Sequence, residues 1–409
     1  MVALVRLMPA KRLLLSYVVD WVVIIGIAAI GAAFNAPGPY KRPFSLVDLS
    51  ISYPYVPSQI STALLVVLSL VVPAGIIFAV CLLFVPGPTV SPNTPKSLIW
   101  RRKLWEWNTG WMGLALSLAL AFLFTQGMKN IFGKPRPDML ARCQPDAENF
   151  REYLVGVQYA AAFDPHWVLV NADICKNSDT ALVDDAFRSF PSGHASMSWS
   201  GLLYLAFFLC SKFAISLPFL HSRTFSRDAP PSLSKDSPTN SNSTTDSILP
   251  IHKDEQSFER LGHHGVPIRN QAAAPPVYLL ALPLVPICAA LYITATRFFQ
   301  FHHHGFDILF GSFIGMASSW FSFRWYHLPI RQGSGWSWGA RSRDRAWIVP
   351  VGVESYVGPE GWSSKKSDEK QVVNGNHNHV LDSRFDGQGG SADTGKDDAI
   401  DIEDSHNRV

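Results

Sequence analysis

Ala295–Phe310 reads ATRFFQFHHHGFDILF. It sets Arg297, the run His302, His303 and His304, and Asp307 between two apolar segments. Ionisable groups wedged between membrane-length apolar runs mark a functional site at the edge of a bilayer. Two earlier stretches carry matching chemistry. Lys129–Pro137 reads KNIFGKPRP, and Pro191–His194 reads PSGH.

Composition agrees with a membrane chain. Hydrophobic residues make up 47% and charged residues 16%, against roughly 25% charged in soluble domains. A net charge of +3 is too small to argue for a nucleic-acid partner, and no basic stripe forms. Cys81, Cys210 and Cys288 sit in apolar runs and read as small hydrophobes. Cys143 and Cys175 share one polar loop without a CxxC pair. They are two free thiols or, on an oxidising side of the membrane, a disulfide.

Working outward from the opening stretch, six apolar spans predict an all-α integral membrane protein. They cover residues 14–34, 62–84, 110–128, 195–215, 277–295 and 306–326. Residues 1–13 form a short N-terminus and 14–326 the six-span core. Pro73 predicts a kink in the second span, and Val85–Asn108 reads as a polar loop before the third. Residues 216–274, rich in Ser, Pro, Asn and Asp, predict a disordered insert. Residues 327–409 predict a mostly disordered tail, although Trp336–Tyr356 carries side chains able to pack.

Lys11, Arg12, Lys96, Arg101–Lys103, Lys212, Arg223, Arg324 and Arg331 flank one side of the spans. That bias predicts both termini in the cytosol. All three polar stretches then emerge at the opposite, non-cytosolic helix ends. The sequon at Asn242 falls on the cytosolic side and is expected to be unused.

The residues can handle phosphate. Lys129, Arg136 and Arg297 supply positive charge, and an arginine fork matches phosphate oxygens. Ser192 and the Gly193 amide add donors at the N-terminus of the fourth span, where anions are favoured. His194 and His303 are candidate acid and nucleophile, since imidazole exchanges protons near neutrality. Asp307 follows His303 by four residues, so a helix that starts early puts both on one face. The expectation is that Asp307 orients His303, while His302 and His304 serve solvent or packing. His263 and His264 lie in the insert and are expected to do nothing catalytic.

The spacing Lys129-x6-Arg136-Pro137, then Pro191-Ser192-Gly193-His194, then Arg297-x5-His303-x3-Asp307 resembles the signature of the type 2 phosphatidic acid phosphatase superfamily. The span layout is similar to its lipid phosphate phosphatase branch, especially fungal enzymes acting on diacylglycerol pyrophosphate and phosphatidate. The resemblance implies that Lys129, Arg136, Ser192, Gly193 and Arg297 bind phosphate. It implies that His303 attacks phosphorus, Asp307 orients it, and His194 protonates the leaving oxygen. It implies no metal and no cofactor, and a lipid phosphate substrate held in the bilayer. The membrane would be vacuolar, endoplasmic reticulum, Golgi or plasma membrane, with the site on the lumenal or extracellular side. One departure is Thr296, where the family usually has Ser before the arginine; the hydroxyl is kept. Two other classes compete. Vanadate-dependent haloperoxidases share the superfamily but resemble soluble enzymes. Non-enzymatic lipid-binding relatives typically lose a nucleophile or a phosphate ligand, and every such position is filled here.

Overall fold

The computed structural model describes residues 11–87, 90, 94–156, 162, 168–219, 273–331, 335–349, 351 and 355–357. The expected insert beyond residue 219, with the Asn242 sequon, His263 and His264, lies outside the described residues, as does the tail beyond residue 357. The long helices are α1 (Lys11–Asn35), α2 (Thr62–Phe84), α3 (Lys96–Phe132), α6 (Gly193–Lys212), α7 (Ala281–Phe299, after a 3-10 turn Val277–Leu280) and α8 (Gly305–Tyr326). Two short helices, α4 (Met139–Cys143) and α5 (Thr180–Ala186), lie in the connection between α3 and α6. Among the described residues, five helices are long and apolar enough to cross a membrane: α1, α2, α3, Val277–Phe299 and α8.

The central helix is α6, which packs against α8, α7 and α3. Its Ser196, Ser198, Ser200 and Ser211 are all buried. Small residues let helices approach closely, and hydroxyls bond across the gap. Ser117 donates to the Ser200 carbonyl at 2.9 Å, and Thr125 donates to Ser196 at 2.7 Å. A helix hidden by its neighbours has no need of an apolar exterior, and α6 is not among the helices apolar enough to count as a span.

One expectation about helices is corrected. The polar run before residue 108 is not a loop, because α3 begins at Lys96. Pro95 precedes it and Gly133 ends it, with no proline between to break the ladder. Gly133 has φ 53, a left-handed cap that glycine adopts without steric cost. At about 55 Å, α3 is longer than the hydrocarbon and carries its charged turns beyond it. Around Pro73 the second span relaxes through a π-helical turn, Val67–Val71. A proline ring clashes with the carbonyl four residues back, here Ser69, and the wider turn makes room. A side chain at Gly201 of α6 would overlap that same carbonyl.

At the N-terminal ends of α6 and α8, the connections after α1 and α3 form a cap with its own core. Phe44, Met139, Val170, Ile174 and Phe187 are buried in it. The Cys143–Cys175 disulfide closes this cap, resolving the two alternatives left by the sequence. At the other end of the bundle, Gly335–Gly339 returns to the helices rather than trailing away as tail. The Trp338 amide donates to the Tyr326 carbonyl at 3.0 Å, and the Ser337 amide donates to Glu106 at 3.1 Å. These residues all belong to one compact unit, Ser16–Gly339. In the other unit, Arg345 donates to the carbonyls of Ser355 and Val357.

Candidate active site

The three polar stretches meet where α3 and α7 end and α6 and α8 begin. Lys129 is in the last turn of α3 and Arg297 in the last turn of α7. Ser192 is the N-cap of α6, and Gly193 and His194 open that helix. The α7–α8 turn is held by the Arg297 carbonyl, which accepts from the amides of His302 and His303 at 3.1 and 3.3 Å. The Ser192 amide donates to the Asp307 carbonyl at 3.0 Å, tying α6 to α8.

His303 is 2% exposed. Its Nδ1 lies 2.6 Å from the backbone carbonyl of Ser189. A carbonyl only accepts, so Nδ1 carries the proton and Nε2 keeps its lone pair. Burial first, then the charges of Arg136 and Lys129, hold the His303 imidazolium well below the usual histidine range. The ring is therefore neutral at physiological pH.

Asp307 does not touch His303 in the way its spacing suggested. Helix α8 starts at Gly305, so His303 lies outside the helix and the shared face does not exist. Asp307 instead occupies the third position of α8, in a capping box with His304. One carboxylate oxygen takes Lys134 Nζ at 2.7 Å. The other accepts from the Ser189 hydroxyl at 2.5 Å and from the His304 amide at 3.2 Å. Ser189 thus bonds Asp307 through its side chain and His303 through its backbone.

The cations sit in a shared network. Arg136 donates from Nε to the Asp185 carbonyl at 2.7 Å and from Nη2 to the Asp185 carboxylate at 2.8 Å. Its Nη1 reaches the His302 carbonyl at 3.2 Å. Arg142 bonds Asp138 at 2.8 Å, Asp185 at 3.0 Å and His302 Nδ1 at 3.0 Å. Burial would raise the Asp185 carboxyl, but Arg136, Lys129, Arg142 and Arg188 outweigh it and pull it down to about 2. Arg297 spreads its guanidinium over Ser58 at 2.7 Å, Gln300 at 2.9 Å and Thr296 at 3.0 Å. The Thr296 hydroxyl itself donates to the Ile293 carbonyl at 2.6 Å, so threonine does here what a serine hydroxyl would do.

Two groups are left facing the site. The Ser192 hydroxyl is buried with no hydrogen-bond partner. A side chain at Gly193 would come 3.4 Å from Lys129 Nζ, so the helix N-terminus and this ammonium face one another across a gap that glycine leaves open. His194 Nε2 lies 3.0 Å from the Ile60 carbonyl. That nitrogen therefore donates, and Nδ1 is the one left to exchange a proton.

Sequence reasoning missed Ser189, Lys134, Asp185, Arg142 and Gln300. Lys134 was inside the quoted KNIFGKPRP stretch, and Asp138 and Arg142 stand four apart, a spacing that pairs charges on a helix. Nothing local marks Ser189. His302 and His304 were expected in solvent or packing; His302 is 4% exposed, packed within the arginine network, and His304 caps α8. Among the described residues, no three His, Cys, Asp or Glu side chains group as metal ligands.

The model of the PAP2 superfamily matches residues 110–331. A protein of Schizosaccharomyces pombe named probable diacylglycerol pyrophosphate phosphatase 1 is 26% identical over 76% of this chain and 81% of its own length. Diacylglycerol pyrophosphate phosphatase 1 of Saccharomyces cerevisiae is 24% identical over 71% of this chain and 73% of its own. Probable lipid phosphate phosphatase 4 of Arabidopsis thaliana is 21% identical over 79% and 76%. No solved structure matches.

Proposed function

The chain belongs to the PAP2 superfamily, and from that premise we propose that it is a lipid phosphate phosphatase. It removes the terminal phosphate of phosphatidate, diacylglycerol pyrophosphate or a related lipid phosphate, without a metal, through a phosphohistidine. The names of its relatives support the substrate class. The observation that carries the reading is the protonation state of His303, whose Nδ1 is occupied by the Ser189 carbonyl. The other ring nitrogen is a neutral nucleophile beside Lys129, Arg136 and Arg297.

In the first step, His303 Nε2 forms a bond to phosphorus and the bond from phosphorus to the lipid-side oxygen breaks. The His303 ring gains positive charge, which the Ser189 carbonyl and the Asp307 carboxylate behind it stabilise. Lys129, Arg136, Arg297 and the unpaired Ser192 hydroxyl take the three phosphoryl oxygens, whose charge they neutralise in place of a metal ion. With the anionic phosphate bound, His194 takes up a proton and gives it to the departing oxygen. In the second step water attacks phosphorus, its proton passes to His194, and the bond from phosphorus to Nε2 breaks. Inorganic phosphate leaves and both histidines return to their starting states.

We infer six membrane spans, with α6 as the fourth, and a site on the non-cytosolic surface. The distribution of Lys and Arg supports the orientation. The Cys143–Cys175 disulfide, in the cap over the site, supports an oxidising compartment there. A site at helix ends suits an amphiphile, whose headgroup reaches the charged loops while its chains stay in the bilayer.

The test is phosphate release from phosphatidate and diacylglycerol pyrophosphate in detergent micelles containing EDTA, with the intact protein beside His303→Ala. Release by the intact protein alone is expected. Equal release by both removes His303 as nucleophile, and no release by folded intact protein removes the reading.

A further inference from the structure

We propose that a cavity at the far end of α8 binds an anionic phospholipid, as a site separate from the one that handles the substrate phosphate. The cavity has a volume of about 380 Å³. Phe207, Trp320, Phe323 and Ile330 form its apolar walls, and Arg324 and Arg331 line it as well. Arg324 is in the last turn of α8, whereas Asp307 is in the first. At about 1.5 Å per residue the two are roughly 25 Å apart along the helix. That is close to the thickness of the hydrocarbon, about 30 Å, so the cavity and the active site serve opposite membrane surfaces.

Three observations specify the occupant. The first is charge. Among the described residues, neither Arg324 nor Arg331 pairs with a carboxylate. Arg324 makes only a long 3.4 Å bond to the His327 carbonyl, and Arg331 lies 5.9 Å from the ring centre of Phe219. Two guanidinium groups beside an apolar wall keep most of their donors for an external anion. The second is the wall itself, aromatic and aliphatic, which takes an acyl chain and offers a free phosphate ion nothing. The third is position. Trp320 is 60% exposed and Trp325 is 58% exposed on the same helix, as aromatic residues at a membrane–water boundary are. A phospholipid standing in that leaflet brings its chain to Trp320 and Phe207 and its phosphate to the arginines. A net negative headgroup is required, since a choline would bring a third cation to the pair.

The probe is phosphatidylglycerol against phosphatidylcholine of the same chains. Phosphatidylglycerol carries a phosphodiester, so it has no terminal phosphate to lose. The full chain, purified from an equimolar mixture of the two lipids, is examined by native mass spectrometry for retained lipid. Phosphatidylglycerol should be retained preferentially, by about fivefold for each arginine. Arg324→Gln/Arg331→Gln should bring retention to parity. Parity in the unaltered protein overturns the proposal, because the cavity then takes any acyl chain. A preference that survives in the double variant also overturns it, by assigning the lipid to the substrate site. Arg331 is exposed, so Arg331→Gln alone folds and provides a second reading. The unaltered protein should melt at a higher temperature in phosphatidylglycerol bilayers than in phosphatidylcholine, and Arg331→Gln should shrink that difference; an undiminished difference counts against the site.

Discussion

The backbone carbonyl of Ser189 lies 2.6 Å from Nδ1 of His303 and holds its proton there. The hydroxyl of the same serine holds Asp307 at 2.5 Å, and Lys134 holds the other oxygen of that carboxylate. Orientation of the nucleophile therefore passes through Ser189. Ser189→Ala keeps the carbonyl and releases the carboxylate. It should lower kcat about tenfold while leaving KM nearly unchanged, since the phosphate ligands stay in place. Ser189→Thr should restore most of the rate. A rise in KM with kcat intact would show instead that Ser189 acts on binding.

The charges around His303 set the pH profile. Its folded pKa is lowered, first by burial and then by Arg136 and Lys129. The neutral, nucleophilic form is thus complete at pH 6.5 and above, and its loss contributes a fall in activity as pH drops below that. The stability that goes with the neutral ring has the same sign: full above the ordinary histidine value and lost on acidification. Arg136→Gln removes a repelling charge and raises the pKa. Its kcat/KM should be low, and its acid limb should move up toward pH 6.5. A profile of kcat/KM between about pH 4 and about pH 8 checks this; an acid limb that stays where it was would assign the titration to another group.

Much of this site could be read from residue order alone, and the reason is topological. Stretches that flank membrane spans must emerge at one surface or the other, so Lys129, Ser192 and Arg297 could be brought together without any coordinates. What could not be read depended on one or two residues of helix phase. With α8 starting at Gly305 and His304 as its cap, Asp307 turns away from His303 and toward Lys134. Ser189 reaches His303 through a carbonyl, a group every residue has, and its hydroxyl meets Asp307 118 positions away, so nothing local announced it. The length of α3 was hidden for a similar reason. Its first turns are polar and fail an apolar-span criterion, yet Pro95 and Gly133 bound a continuous helix.

Arg297 spans three acceptors on three residues: Ser58, Gln300 and Thr296. A lysine keeps the charge and loses the fork, so it cannot hold these groups and a phosphate oxygen together. Arg297→Lys should reduce kcat/KM by about two orders of magnitude, with the melting temperature lowered by only a few degrees. Kinetics in micelles beside a thermal melt separate the two effects. Near-normal kcat/KM would mean that position 297 acts as a point charge.

Glu106 of α3 and Lys212 of α6 form a 2.6 Å ion pair with exposures of 0% and 5%. They lie at the end of the bundle away from the active site. Lys212 also donates to the Gly335 carbonyl at 2.7 Å, and Glu106 accepts from the Ser337 amide. The pair therefore fastens the segment after α8 to the two helices. Removing Glu106 leaves the buried Lys212 ammonium without a carboxylate, at a cost of about 3 to 5 kcal/mol. Glu106→Gln should be strongly destabilised, and Lys212→Met alone less so, because Arg102 still lies 3.3 Å from the Glu106 carboxylate. Glu106→Gln/Lys212→Met should recover much of the loss, because no buried lone charge remains, Arg102 being 40% exposed, and the glutamine can still accept from Ser337. Thermal unfolding of the four proteins closes the cycle. Strictly additive losses would show that the two side chains act independently despite their 2.6 Å contact.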